Sequence, residues 1–183
     1  MSSSSAAIPP GSWQIDIAGP PLVHLKTARI GLIRLEASAP VLGGVFRLGA
    51  GDAGAGDTGG DTQDGTGLRL ELGLDQLTTG NPLLQAAARV LVSRGNGERL
   101  VFDARAAAGT THGGPWDFAG DARAGDVVVP MTVTAQHAGG GRLTLGGSAT
   151  FQDVHIPLPG LSHLNEISFE VASEVRLDLG DPA

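Results

Sequence analysis

Apolar and polar residues alternate along most of this chain. In LRLELGLDQL, Leu68, Leu70, Leu72 and Leu74 share one face, and Arg69, Glu71 and Asp75 the other. RLVFDARA repeats the pattern with Leu100, Phe102 and Ala104. VVVPMTVTAQ gathers Val127, Val129, Met131 and Val133, and RLTLGGSATFQDVHI gathers Leu143, Leu145, Ala149 and Phe151. EISFEVASEVRLDL sets Ile167, Phe169, Val171, Val175, Leu177 and Leu179 against Glu166, Glu170, Glu174, Arg176 and Asp178. A period of two marks a strand with one buried face. WQIDI (13–17), the weakly patterned 23–40, VLGGVFRLG (41–49) and GPWDFAGDARAGD add further strands. Gly43-Gly44 predicts a bulge or sharp bend, and Pro130 is tolerable only at a sheet edge or bulge.

One stretch breaks the alternation. In LTTGNPLLQAAARVLVSRG the apolar residues Leu83, Leu84, Ala87, Ala88, Val90 and Leu91 fall at helical spacing. Asn81 suits an N-cap, Pro82 a first helical position and Gly95 a C-terminal stop. A helix is predicted over 81–94. Strands apolar on one face belong to antiparallel sheets wet on the other. Eight or nine such strands and one helix exclude a parallel α/β sheet and leave a sandwich or a closed barrel. Closure removes the unpaired edges of long strands such as 166–179. The helix would then lie across the open end of the barrel.

Composition sharpens this picture. The 183 residues suit one domain, expected over 12–180. Residues 1–11, rich in Ser, Ala and Pro, predict a disordered arm. GAGDAGAGDTGGDTQDGTG (49–67) holds no core-forming residue and predicts a flexible Gly/Asp-rich loop; it has neither calcium-loop spacing nor the lysine and helix of a phosphate loop. The net charge of −7 lacks the basic footprint of a nucleic-acid binder and argues against anionic membrane surfaces. With no Cys there is no disulfide, thiolate chemistry or Cys zinc site. The N-terminus does not read as a secretory signal, and no run reaches the length of a membrane span, so a cytoplasmic location is expected. None of His24, His112, His137, His155 and His163 falls in a zinc pattern, and no Gly-x-Ser-x-Gly elbow occurs. No metal, cofactor or catalytic residue is assigned.

The order of these segments resembles the YceI-like family over residues 12–179. WQIDI looks like its opening aromatic-x-Ile-Asp strand, and VLGGVFRLGAG like its Val-x-Gly-x-Phe strand. LDQLTTGNPLLQ is similar to the Thr-Gly-Asn segment leading into the helix, RLVFDA to the next strand, and FAGDARAGDVVVPMTVTA to a Gly-x-Leu-Thr-x-x-Gly-Val-x-x-Pro-Val hairpin. LTLGGSATFQDVHIPLPG and the acidic strand after it resemble the C-terminal pair. The family's His-Ser after the first strand is replaced by AGPPLVHL, and its Arg-Asp-x-His-Leu on the helix by LQAAAR, as in a divergent member.

The resemblance implies a lipocalin-like antiparallel barrel of about eight strands, with the short helix at its mouth. It also implies non-covalent carriage of a long-chain apolar ligand, isoprenoid- or fatty-acid-like. The expected lining is Leu68, Leu70, Leu72, Phe102, Met131, Val133, Leu145, Phe151, Phe169 and Val171, with Leu83, Leu84 and Ala87 gating the mouth. For each of these, ordinary core packing is the competing assignment. With five Phe, two Trp and no Tyr, few rings are present to plug the interior. That leaves room for a ligand, or lets small side chains bring the walls together. A lipocalin-like enzyme and a ligand-free structural or interaction module stay open as alternatives, and a homodimer is compatible with each.

Overall fold

The computed structural model describes residues 7–27, 34–49, 65–80, 82, 85, 98–107, 114–154 and 164–180. Ten strands follow in order: β1 (Gly11–Ile15), β2 (Leu22–Thr27), β3 (Glu36–Leu48), β4 (Gly67–Gly73), β5 (Thr78–Thr79), β6 (Arg99–Arg105), β7 (Trp116–Ala124), β8 (Val127–Gly139), β9 (Arg142–Val154) and β10 (Leu164–Asp178). The pairings are antiparallel, and from β2 on the order is β2-β3-β4-β6-β7-β8-β9. β10 pairs with β9, from Leu164 opposite Val154 to Arg176 opposite Arg142, and with β2, so the sheet closes on itself.

The ten strands fill eight positions around the barrel. β1 and β2 share one, each lying between β10 and β3. The break between them, 16–21, has a local cause. The Asp16 carboxylate accepts the Ala18 N–H at 2.9 Å, a turn of its own. Pro20 and Pro21 then have no N–H to give to a ladder. β5 continues the line of β4, both pairing with β3. The expected all-β antiparallel barrel of about eight strands is the architecture observed.

Two sequence segments divide differently from expectation. The break within 23–40 follows Thr27, and Glu36–Leu48 is one continuous strand. The bulge expected at Gly43-Gly44 lies between Val41 and Gly43. It adds one residue, so inward positions run Ala39 and Val41 before it and Phe46 and Leu48 after it. Pro130 sits just before the β8–β9 ladder begins at Met131, where β8 pairs with β7 alone, in keeping with its need for an edge. Gly147, paired with Val133 and Val171, meets a different demand: a Cβ there would run into the backbone carbonyl of Thr132. Only glycine lets β9 pass β8 so closely.

Two ends can be told apart. At the upper end lie the β2–β3 and β9–β10 connections, the β5–β6 connection and the tight β7–β8 turn, where Gly125 takes a positive φ of 58°. At the lower end lie the β3–β4 and β6–β7 connections, the β8–β9 turn and both termini of the strand order, Gln14 facing Asp178. Ile8 is buried and Pro9 accepts a hydrogen bond from the Trp13 indole at 2.9 Å. Residues 8–11 of the expected disordered arm therefore pack onto the lower end, because Ile8 has a core to join; 1–6 lie outside the described residues. So do 50–64 of the Gly/Asp loop and the stretch 81–94 expected to be a helix, apart from Pro82 and Gln85, whose backbones are helical.

The core is one cluster inside the barrel. Among the described residues, two hydroxyl side chains are buried beside it, and both are satisfied. Thr27 Oγ1 accepts the Leu35 N–H at 3.0 Å, and Ser173 Oγ donates to the Leu22 carbonyl at 3.0 Å. The outer wall carries the charges, including Arg69 with Glu71 at 3.1 Å and Arg142 with Glu174 at 3.6 Å. This polarity is the reverse of a lipid-embedded barrel, whose outer band is apolar. Among the described residues no helix is long and apolar enough to cross a membrane.

Candidate functional site

The alternation that built the strands decides which side chains enter the barrel. Leu68, Leu70 and Leu72 of β4, Phe102 of β6, Met131 and Val133 of β8, Leu145 of β9 and Val171 of β10 all face inward. None of these eight expected lining residues is more than 4 % exposed. A hollow wide enough for water beside them would leave surface open to it. Around these eight the barrel is therefore filled by its own side chains, which settles the choice between hollow and filled at this level. Phe169 is only partly buried. Leu83, Leu84 and Ala87 lie outside the described residues, as does the side chain of Phe151.

The filling is uneven. Four of the seven aromatic residues, Trp13, Phe46, Trp116 and Phe118, are buried toward the lower end. Phe46 and Trp116 meet edge to face with centroids 5.1 Å apart. Toward the upper end the inward positions carry no ring but mix alanines, Ala39 of β3, Ala122 and Ala124 of β7 and Ala149 of β9, with Val23, Val41, Leu72, Leu100 and Val129. Above this floor stand Leu25, Leu77 and Val127, packed on the core but only partly covered. Phe169 is opposite Thr27 and Ala149, on the same rim. Among the described residues, the partly covered apolar residues at this end are Leu25, Leu74, Leu77, Val127 and Phe169, over a floor of alanines, valines and leucines. The segment joining β5 to β6, which contains 81–94, leaves from this rim. Gln85 ties its start down, accepting the Thr79 N–H at 2.9 Å and donating to the Leu77 carbonyl at 2.6 Å.

The mouth contains residues that the sequence reading left out. Val127 was assigned to the inward face of its strand but not to the site. Leu25 fell in the weakly patterned stretch, and Leu77 closed a strand read only as far as its turn. Depth along the barrel separates these from Leu70 or Val133, and alternation carries no measure of depth.

A second feature lies at the lower end. The indole N–H of Trp116 and Nε2 of His137 are buried and, among the described residues, without hydrogen-bond partners. Trp116 faces Ala135 across the β7–β8 ladder, so His137 is its diagonal neighbour on the inner face. Leaving such a group unpaired costs about 1–3 kcal/mol. Trp13, at the same end, has its partner in Pro9. Among the described residues no three His, Asp or Glu side chains gather as a metal-binding group.

No known protein family matches the chain, and no curated protein matches it. The likeness to YceI-like barrels therefore rests on the motifs quoted above.

Proposed function

We propose that this barrel is a binding module that holds a long-chain apolar ligand, isoprenoid- or fatty-acid-like, through its upper mouth. One observation carries the reading. Inward apolar side chains are partly accessible at Leu25, Leu77, Val127 and Phe169, above a level that holds aliphatic side chains, four of them alanines, and no ring. The rings at the lower end leave no space there, so a tail would occupy the upper half alone. Each methylene buried contributes about 0.8 kcal/mol, so a short length of chain already binds measurably without a polar contact. The order of motifs shared with YceI-like barrels supports the same ligand class. Carriage, rather than chemistry, suits a mouth of hydrocarbon side chains.

A fluorescent long-chain fatty acid titrated into delipidated protein tests the proposal, together with native mass spectrometry before and after organic extraction. Binding is expected to saturate at one equivalent. Phe169→Asp should weaken it about tenfold or more by placing a charge on the apolar rim. Val128→Asp, next in sequence to Val127 but facing outward and exposed, should leave it unchanged. No saturable binding, or equal loss from both variants, would overturn the reading.

The close packing of the eight expected lining residues favours a second reading, a ligand-free structural or interaction module. It predicts no co-purifying lipid and no saturable probe binding.

A further inference from the structure

Twelve lysines and arginines serve the whole chain. Three of them converge on one groove in the outer wall. This groove, about 220 Å3, is lined by Arg47 of β3, Gly67 and Arg69 of β4, and Asp103 and Arg105 of β6, among others. The ladder explains the convergence. Arg47 lies opposite Gly67, and Gly67 lies opposite Arg105; one row along, Arg69 lies opposite Asp103. All these positions face outward, because Phe46, Leu68 and Ala104 beside them face the core. With strands about 4.8 Å apart, the two flanking arginines start roughly 10 Å from one another across the glycine.

Their engagement differs. Arg69 is held by Glu71 at 3.1 Å and Asp103 at 3.5 Å. Among the described residues, Arg47 and Arg105 make no ion pair and no side-chain hydrogen bond. Gly67 is the informative member. Its backbone is ordinary strand, and a Cβ there would meet only the Ala104 carbonyl, at 3.6 Å, an ordinary contact. Glycine weakens a strand, and here neither backbone nor packing requires it. What its missing side chain does is keep the space between two guanidiniums open.

We propose that this groove is an oxyanion site, in which Arg47 and Arg105 grip a phosphate-type dianion from either side over Gly67. Guanidinium forks match tetrahedral oxyanions bidentately. With Arg69 already held by Glu71 and Asp103, the guanidiniums of Arg47 and Arg105, unpaired among the described residues, favour a doubly charged group over a single carboxylate. A free phosphate compound and a phospholipid headgroup share this chemistry. The site is independent of the upper mouth, lying on the outer wall toward the other end.

The test titrates inorganic phosphate and pyrophosphate into the whole chain at low salt, observing the arginine side-chain N–H signals by NMR. Shifts are expected at Arg47 and Arg105, and the affinity should fall as salt rises. Arg47→Gln and Arg105→Gln should each weaken binding about fivefold or more, and the pair should abolish it. Gly67→Val should do the same by filling the groove, while its urea midpoint does not fall. Arg123→Gln, which alters an exposed arginine paired with Asp121, should change nothing. Vesicles of phosphatidylcholine with and without phosphatidic acid separate the sources: binding to acidic vesicles alone, lost in the same variants, assigns the headgroup. Anion binding that persists in Gly67→Val and in the double variant, or no shift at either arginine with either source, would overturn the proposal.

Discussion

The lower and upper halves of this barrel are made by the same alternation and filled by different means. Below, Trp13, Phe46, Trp116 and Phe118 occupy the inside of the wall, and Phe46 stands edge-on to Trp116. Above, Ala39, Ala122, Ala124 and Ala149 take inward places beside the aliphatic Val41, Leu72, Leu100 and Val129, and partly covered apolar residues follow at the rim. An inward period of two fixes which face is buried. It does not fix how much volume that face supplies. In an eight-stranded barrel the supply decides between a plug and a pocket. Here one chain has placed most of its rings at one end.

The largest expected effect breaks both halves together. Gly147→Val puts a side chain where the Thr132 carbonyl stands and forces β8 and β9 apart. A loss of about 5 kcal/mol is expected, visible as a chain without a cooperative urea transition. The comparison itself is sharpened by making one change at each end. Phe46→Ala should cost about 4 kcal/mol, because a fully buried ring leaves a cavity its neighbours cannot close. Phe169→Ala should cost roughly half as much, since part of that ring already meets solvent. Equal urea midpoints for the two would contradict the asymmetry.

Within the lower end, Trp13→Phe should cost about 1 kcal/mol more than Trp116→Phe. The first loses the bond to Pro9 and the second loses an N–H that has no partner. If thermal unfolding ranks them the other way, the Trp116 N–H has found an acceptor in solution. The smallest effect belongs to the wall outside both halves. Arg142→Gln, which removes the exposed pair with Glu174, should shift stability by no more than about 0.5 kcal/mol, and less in high salt.

Much of the fold was legible because strands with one wet face announce themselves. The inward sets of β4, β6, β8 and β10 follow from their spacing, except that Leu179, expected on the inward face of the last strand, lies past its end and is exposed. The bulge at Gly43 and the edge requirement of Pro130 were legible too, since each follows from a missing side chain or a missing N–H. Other features were hidden because they depend on distant partners. That 36–48 is one strand depends on pairing with β2 and β4 at once. That Ile8 is core depends on an open lower rim to receive it. The site was legible as a list of apolar residues but not as a place. Leu70 and Phe169 look alike in sequence, and only closure of the barrel puts one in its middle and the other at its rim. His137 could have been assigned inward by carrying the β8 alternation from Val133 and Ala135 two positions further.

β10 is hydrogen-bonded along both of its sides, to β9 on one and to β2 and β1 on the other. It is also the last of the ten strands in chain order. Without it, the sheet has two raw borders, and its apolar face has no opposite wall. Closing the barrel therefore needs β10, which joins the two ends of the strand order through contacts distant in sequence, the kind that slow folding. A chain held short of that strand would expose raw sheet borders, the kind of surface that chaperones shelter.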